Sequence, residues 1–193
     1  SYVTSRYGKK TSKHIYPIIK KELEGGKIGD VKIEGYKVGE TGYDKEKFVT
    51  WLEKLKRYSE NYKKIRNNEL GDDIYPFIGN LHRVMDQHRG PLLAAMITFE
   101  DYEDKIERIV KMFEYLSIRG YMLPRSVEDV DGIQSNKVYS WVNEFCTELF
   151  KKTEHEPEKL TKQQLQSSEE LLHSLENKIV SRCDEIWAEK WEE

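Results

Sequence analysis

The chain has 193 residues, of which 35% are charged and 37% hydrophobic, and 32 Lys and Arg against 35 Asp and Glu give a formal net charge of −3. Average globular chains carry about 25% charge and ~45–50% apolar residues, so this chain is polar, although its 12 Tyr, 6 Phe and 4 Trp are too many for a disordered one. The length suits one domain of ~100–200 residues with its own core, and the near-neutral balance argues against a globally basic nucleic-acid binder while leaving room for a local basic patch.

The first part of the chain combines a helical pattern with a Gly-rich segment. Thr11 or Ser12 is placed to cap a helix whose apolar residues recur at steps of three and four. Between residues 25 and 42, glycines punctuate an alternation of Val31 and Ile33. This segment predicts a short β-hairpin or an irregular loop.

Two amphipathic helices follow. The first begins at Asp44 as N-cap and stops at Asn67-Asn68, with apolar residues on one face and Lys, Glu and Arg on the other. The second is capped by Asp72 or Asp73. The apolar residues of the two inner faces are Phe48, Trp51, Leu52, Leu55, Tyr58, Tyr62, Ile65, Ile74, Phe77, Ile78, Leu81, Val84 and Met85.

The middle of the chain predicts a buried helix and a further amphipathic one. Gly90-Pro91 interrupts the chain before an apolar run from Leu92 to Phe99, which predicts a buried helix begun by Pro91. The next helix runs from Glu100 to Ile118, and Gly120 is placed as its C′ residue. A loop is expected from Tyr121 to Gln134.

Ser135 is predicted to cap the next helix, Lys151 to Lys159 reads as a linker, and a last long helix carries Leu171 to Trp187 on its buried side. The whole pattern predicts an all-α bundle of six or seven amphipathic helices. We expect one helical domain over 1–193, organised as an N-terminal helix plus Gly-rich segment (1–43), core helices (44–152), and a linker with the C-terminal helix (153–193).

No membrane-spanning helix is expected, because the longest stretch without a charged residue, Gly90 to Phe99, has ten residues against the ~20 that a span needs. No apolar leader with a cleavage site is visible. The two cysteines, Cys146 and Cys183, both fall in helical patterns. These features favour a reduced, cytoplasmic protein.

Standard catalytic signatures do not occur in the sequence, which has no Gly-rich phosphate loop, His-Glu-x-x-His, Cys-x-x-Cys or dinucleotide fingerprint. We therefore expect no cofactor. A metal site built from His82, Asp86 and His88 lacks a clear further ligand, so no metal is expected there. The acidic runs Glu100 to Asp104 and Glu154-His155-Glu156 either hold a cation or, for the first run, sit at a helix N-terminus where the dipole favours acidic residues.

The strongest catalytic candidate is the pair Arg83 and His88, separated by four residues in a helical protein. This spacing resembles the Arg-x4–6-His motif of HEPN-type ribonucleases. The resemblance implies that His88 acts as base on a 2′-hydroxyl and that Arg83 stabilises the phosphate, a sensible pairing for phosphodiester cleavage. The alternative is a polar helix end with a solvated face.

Two surface features suggest partners. Basic residues on the polar side of the Asp44 helix either form a solvated face or contact nucleic-acid phosphates. Trp187 and Trp191, four residues apart, either cover the core or mark a partner-binding surface. The candidate phosphate-binding residues are Lys56, Arg57, Lys63, Lys64 and Arg66.

The order of segments from Phe48 to about Leu149, roughly 100 residues, resembles the helical middle region of GmrSD-type restriction proteins. In these proteins a ParB-like NTPase and a His-Asn-His nuclease flank that region. Arg119 matches the first of a pair of arginines in the family, whereas Gly120 stands where the second would be. The other matching residues are Tyr58 and Tyr62, Asn80-Leu81, Pro91-Leu92-Leu93, Glu114 and Asn136-Lys137.

The family's nucleotide-binding motif and nuclease residues have no match in this sequence, so the resemblance implies a non-catalytic piece of a larger protein. Such a helical scaffold or interaction domain would couple flanking modules, assist DNA recognition, or dimerise. The expected partners are flanking domains of a parent chain, DNA or a second copy, and no membrane. The alternative function is the HEPN-like ribonuclease using Arg83 and His88.

Overall fold

A computed structural model describes residues 5–6, 12–28, 31–33, 35, 37–38, 42–70, 75–126, 131–153 and 159–191. Within these ranges the chain is a helical bundle, with seven helices of ten residues or more, which confirms the predicted all-α fold. The α-helices are α1 Ser12–Glu24, α2 Lys45–Asn67, α3 Tyr75–Val84, α4 Arg89–Thr98, α5 Glu103–Tyr115, α6 Leu123–Ser126, α7 Ser135–Lys152 and α8 Lys162–Trp191. A π-helix, Leu116–Met122, joins α5 to α6.

The Gly-rich segment, for which the sequence left a short β-hairpin and an irregular loop open, forms two small antiparallel pairs. Strands β1 Gly26–Ile28 and β2 Val31–Ile33 pair with Gly26 opposite Ile33, and β3 Lys37–Val38 pairs with β4 Gly42–Tyr43. Gly35 has φ +80, and a Cβ there would meet the backbone of Gly25, so this position requires glycine.

Helix α4 lies at the centre of the bundle and packs against α2, α5 and α7. Its residues from Gly90 to Ile97 are all buried, as expected for a helix without a polar face. The helix begins at Arg89 rather than at Pro91. Pro91 fits in its first turn because the backbone N–H that proline lacks would have no helical partner there. Helix α8 covers α7 and α5 and also contacts the π-helix.

Helix α2 begins and ends where its local sequence predicts. The Asp44 carboxylate accepts a hydrogen bond from the Lys47 amide (3.1 Å), and Asn68 closes the helix in the left-handed region (φ 59). The proposed caps of α3, Asp72 and Asp73, lie outside the described residues.

The prediction that Gly120 ends a helix is wrong, and so is the loop expected directly after it. The chain continues as the π-helix and α6, which keep Leu116 and Tyr121 buried. Gly120 is instead a point of close packing, because a Cβ there would lie 2.8 Å from Leu116 Cδ1 and 3.1 Å from Ile133 Cδ1. The Ile133 amide also donates to the Gly120 carbonyl (3.0 Å), which docks the following loop on the π-helix.

Two boundaries near the C-terminal half also differ from prediction. Ser135 is the first helical residue of α7, and Gln134 is the N-cap without a side-chain bond. Lys151 and Lys152, predicted as linker, are the last residues of α7, since Thr153 caps it by donating its hydroxyl to the Leu149 carbonyl (2.9 Å). The predicted linker residues 154–158 lie outside the described residues.

A buried carboxylate links the N-terminal elements to the bundle. Glu22 of α1 accepts from Arg6 (2.7 Å) and from the indole N–H of Trp51 in α2 (3.2 Å). The Arg6 guanidinium also lies 4.2 Å from the centre of the Phe150 ring in α7. Among the described helices, none combines the length and apolar character required to cross a membrane.

Candidate functional site

Positive charge is concentrated on α2. The helix carries eight Lys and Arg but three Glu, a net charge of +5 in a chain whose net charge is −3. Its buried residues Trp51, Tyr58 and Ile65 recur every seven positions and therefore form one narrow stripe against α4. The charged side chains consequently lie on the wide remaining face, which we call the basic face of α2.

The five predicted phosphate-binding residues are not equivalent. Lys63, Lys64 and Arg66 are exposed at the C-terminal end of the basic face, and the described residues hold no carboxylate in ion-pair contact with them. Lys56 is exposed and lies 3.9 Å from Glu60. Arg57 is committed elsewhere, since its guanidinium donates to the Ile97 carbonyl at the end of α4 (3.2 Å) and to Glu100.

A pocket of about 250 Å³ opens beside this end of α2. Three separate parts of the chain form it, namely α2, the turn before α4 with the start of that helix, and the first half of α7. The polar and aromatic residues that line it are Tyr62, Asp86, Gln87, Arg89, Tyr139 and Asn143.

The polar side chains at the pocket carry both signs of charge. The carboxylate of Asp86 pairs with Arg89 at 3.0 Å, and both side chains are more than a third exposed. Gln87 is buried and donates to the Tyr121 hydroxyl at 3.4 Å. The pocket therefore combines hydrogen-bond acceptors and donors with phenol rings, and the one cation among its described lining residues, Arg89, is paired with Asp86.

His88, the predicted catalytic base, is fully buried behind this pocket. Its ring lies 5.0 Å from the His82 ring and 6.5 Å from that of Phe113, and neither ring nitrogen has a hydrogen-bond partner among the described residues. Burial lowers the pKa of His88 to about 3, helped by the nearby His82 and Arg89 and opposed only slightly by the Met85 backbone. In this arrangement the imidazole is neutral and out of reach of a strand bound at the surface.

The other residues of the catalytic and metal hypotheses lie around the end of α3 and the turn that follows it. Arg83 belongs to α3, but its side chain lies outside the described part. His82 uses Nε2 on the Ile65 carbonyl (2.7 Å), while Asp86 faces solvent beside Arg89. No group of three metal-ligating side chains occurs among the described residues.

The acidic run Glu100 to Asp104 extends into the first turn of α5. Glu103 and Asp104 occupy its first turn, and Lys105 takes Asp104 (3.6 Å) and Glu169 of α8 (2.7 Å) as ion-pair partners. The second acidic run, residues 154–156, lies outside the described residues.

Trp187 packs against the bundle. Its indole N–H donates to the Arg119 carbonyl (3.0 Å), the Arg119 guanidinium lies 5.9 Å from the ring centre, and the side chain is half-buried. This arrangement fits the interpretation in which Trp187 covers the core. Trp191 is the last residue of α8, and its side chain lies outside the described part.

Sequence reasoning identified the basic face but missed the pocket beside it. Tyr139 and Asn143 are four apart and so share one face of α7, which is a readable signal, but Tyr62 lies 77 positions before Tyr139. Only the packing of α2, α4 and α7 brings these residues together. Comparisons of the chain with protein-family models, with curated proteins and with solved structures find no match.

Proposed function

We propose that this chain is a non-catalytic helical interaction domain that binds the phosphate backbone of nucleic acid through the basic face of α2. The observation that carries the proposal is the net charge of +5 on one exposed helix of a chain whose net charge is −3. Exposed Lys and Arg side chains without carboxylate partners are the groups that neutralise phosphates and release counterions. Lys63, Lys64 and Arg66 are the residues that meet this description best.

We further propose that the domain is the connecting region of a defence-associated restriction protein, where it couples flanking modules. The resemblance of residues 48–149 to that family supports the proposal, and so does the stiffness of the bundle. Helix α8, about 45 Å long, is tied to α5 by the pairs Lys105–Glu169 (2.7 Å) and Arg108–Glu176, and to α7 by Lys178–Glu144 (2.8 Å). A movement imposed on one end of such a body is transmitted to the other through its packed core.

The phosphate-binding proposal is tested by fluorescence anisotropy with a labelled DNA oligonucleotide over a salt series. The variant K63Q/K64Q/R66Q removes three cations from the basic face. We expect it to bind ~10-fold or more weakly at low salt, and to reduce the slope of log K against log salt by about 2–3, because each lost phosphate contact contributes ~0.7–0.9.

A matched control changes the same charge elsewhere. Lys27, Lys152 and Lys162 are exposed and lie away from the end of α2 in the chain, so K27Q/K152Q/K162Q alters the net charge equally. The proposal requires this control to retain most of the affinity of the unaltered protein. Equal losses in the two variants, or no binding by the unaltered protein at low salt, would show that the basic face is a solvated surface.

A further inference from the structure

The pocket lies where a strand held by the basic face would pass. Tyr62 lies where the two surfaces meet, since it lines the pocket and is followed directly on α2 by the exposed Lys63. Arg66 lies one helical turn beyond Tyr62 on the same side of the helix, because residues four apart are neighbours on a helix surface. Phosphates bound by Lys63 and Arg66 would therefore run along the mouth of the pocket.

The size of the pocket indicates that it takes one group of a larger ligand. Sites for whole small molecules have volumes of ~300–1,000 Å³, whereas this pocket has about 250 Å³. A polyanion lying on the neighbouring helix can supply such a group without leaving its phosphate contacts. In a nucleic acid, the group that extends from the backbone is the base.

The polar residues of the pocket distinguish a base from a phosphate. The Asp86 carboxylate, 67% exposed, offsets the charge of Arg89 and can accept hydrogen bonds from amino groups. Asn143 also lines the pocket, and amide side chains can donate to and accept from a base edge. Tyr62 and Tyr139 are two phenol rings from different helices, and aromatic side chains of this kind provide stacking surfaces for unstacked bases.

We propose that this pocket binds a single unstacked nucleobase of a single-stranded nucleic acid, with preference for bases that carry an exocyclic amino group. The inference rests on the proposed function, because the basic face supplies the phosphate contacts that hold the strand. Tyr62 and Tyr139 provide the stacking surface, and Asp86 with Asn143 reads the base edge. A duplex does not satisfy the pocket, since its bases remain stacked and paired.

The test uses the intact chain and short single-stranded oligonucleotides that share one backbone but differ in their bases. An oligo-dC strand, an oligo-dT strand and a strand of abasic sites are compared by competition anisotropy. We expect oligo-dC to bind about 5- to 150-fold more tightly than the abasic strand, which is the range that one stacked base supplies. We expect oligo-dT to fall between the two, because thymine lacks the amino group that Asp86 accepts from.

Protein variants separate the pocket from the basic face. Tyr62→Leu keeps an apolar side chain of moderate size but removes the ring, so it should abolish the preference for oligo-dC over the abasic strand. Tyr102→Leu is the matched control, since Tyr102 is half-buried near the far end of α4 and lines a different pocket. Asn143→Ala, which leaves both rings in place, gives a second reading if Tyr62→Leu lowers the stability of the fold.

The outcomes distinguish the two proposals. Equal binding of oligo-dC and the abasic strand, with both weakened by K63Q/K64Q/R66Q, would overturn the base pocket and leave the phosphate-binding function standing. Equal competition by a duplex of the same sequence would also overturn the base pocket. No binding of any strand at low salt would overturn both.

Discussion

Lowering the pH from 7 to 5 should destabilise this protein through one residue, His88. Its ring is fully buried against His82 and Phe113, with the guanidinium of Arg89 close enough to disfavour a second positive charge. The folded state therefore holds the pKa of His88 near 3, against 6.5 in the unfolded chain. Between these two values the unfolded state binds a proton that the folded state does not.

The size of the effect follows from this difference. Where the unfolded state binds more protons, the free energy of unfolding falls as the pH falls. At pH 7 the unfolded ring is mostly neutral and the loss is small, whereas at pH 5 it amounts to about 2 kcal/mol. The loss continues to grow as the pH falls towards 3, where the folded ring also becomes protonated.

The measurement is urea unfolding at pH 7 and pH 5 of the unaltered protein and of His88→Leu. The variant removes the titrating ring and its two nitrogens without hydrogen-bond partners, so it should be at least as stable at pH 7 and should lose about 2 kcal/mol less between the two pH values. His173→Gln is the control, because His173 is 63% exposed and its replacement should leave the loss in place.

Two unfolding results would contradict a neutral, buried His88. If His88→Leu and the unaltered protein lose the same free energy between pH 7 and pH 5, His88 is not kept neutral by burial. A His88→Leu protein that is folded but several kcal/mol less stable at pH 7 would also contradict it, because it would mean that the ring makes favourable interactions that its burial does not reveal.

Three further predictions concern stability, each measured by thermal or urea unfolding. Gly132→Ala should destabilise the fold by about 1–3 kcal/mol, because its Cβ would lie 2.7 Å from the Gly120 carbonyl oxygen; an unchanged melting temperature would contradict this packing. Gly79→Ala should stabilise by up to about 1 kcal/mol, since it lies inside α3 with nothing within 4 Å of the new Cβ; a loss of stability would contradict the open space there. Glu22→Ala should cost about 3–5 kcal/mol by removing the buried carboxylate that Arg6 and Trp51 share, and hydrogen exchange in α1 should rise; unaltered exchange would show that other contacts hold α1.

The features that the sequence predicts well are those decided within one turn of chain. Asp44 and Asn68 end α2 as expected, because a cap needs only the neighbouring backbone. Thr161 and Gln164 form a reciprocal cap at the start of α8 (2.9 and 3.2 Å), a local pattern of the same kind that was not among the predicted caps. The buried helix α4 was predictable as well, because its sequence has no polar face to place in water.

The features that the sequence does not predict depend on contacts between distant residues. Gly120 carries the local signal of a helix end, but packing of Tyr121 and Ile133 favours continuation as a π-helix. Arg57 has the same local appearance as Lys56, yet Glu100, 43 residues away, draws it to the end of α4. The pocket has no local signal in α2 because its other walls come from α4 and α7.

The hydrogen bond between Trp187 and Arg119 requires a particular side chain at position 187 but not at position 119. The indole N–H of Trp187 donates to a backbone carbonyl, and every residue type supplies that oxygen. Position 119 can therefore change its side chain without losing this hydrogen bond between α8 and the π-helix, whereas its contacts with Asp184 (3.8 Å) and with the rings of Tyr115 and Trp187 depend on arginine. Position 187 has no such freedom, because even Phe, the apolar aromatic residue nearest in shape, is smaller than Trp and has no N–H to donate.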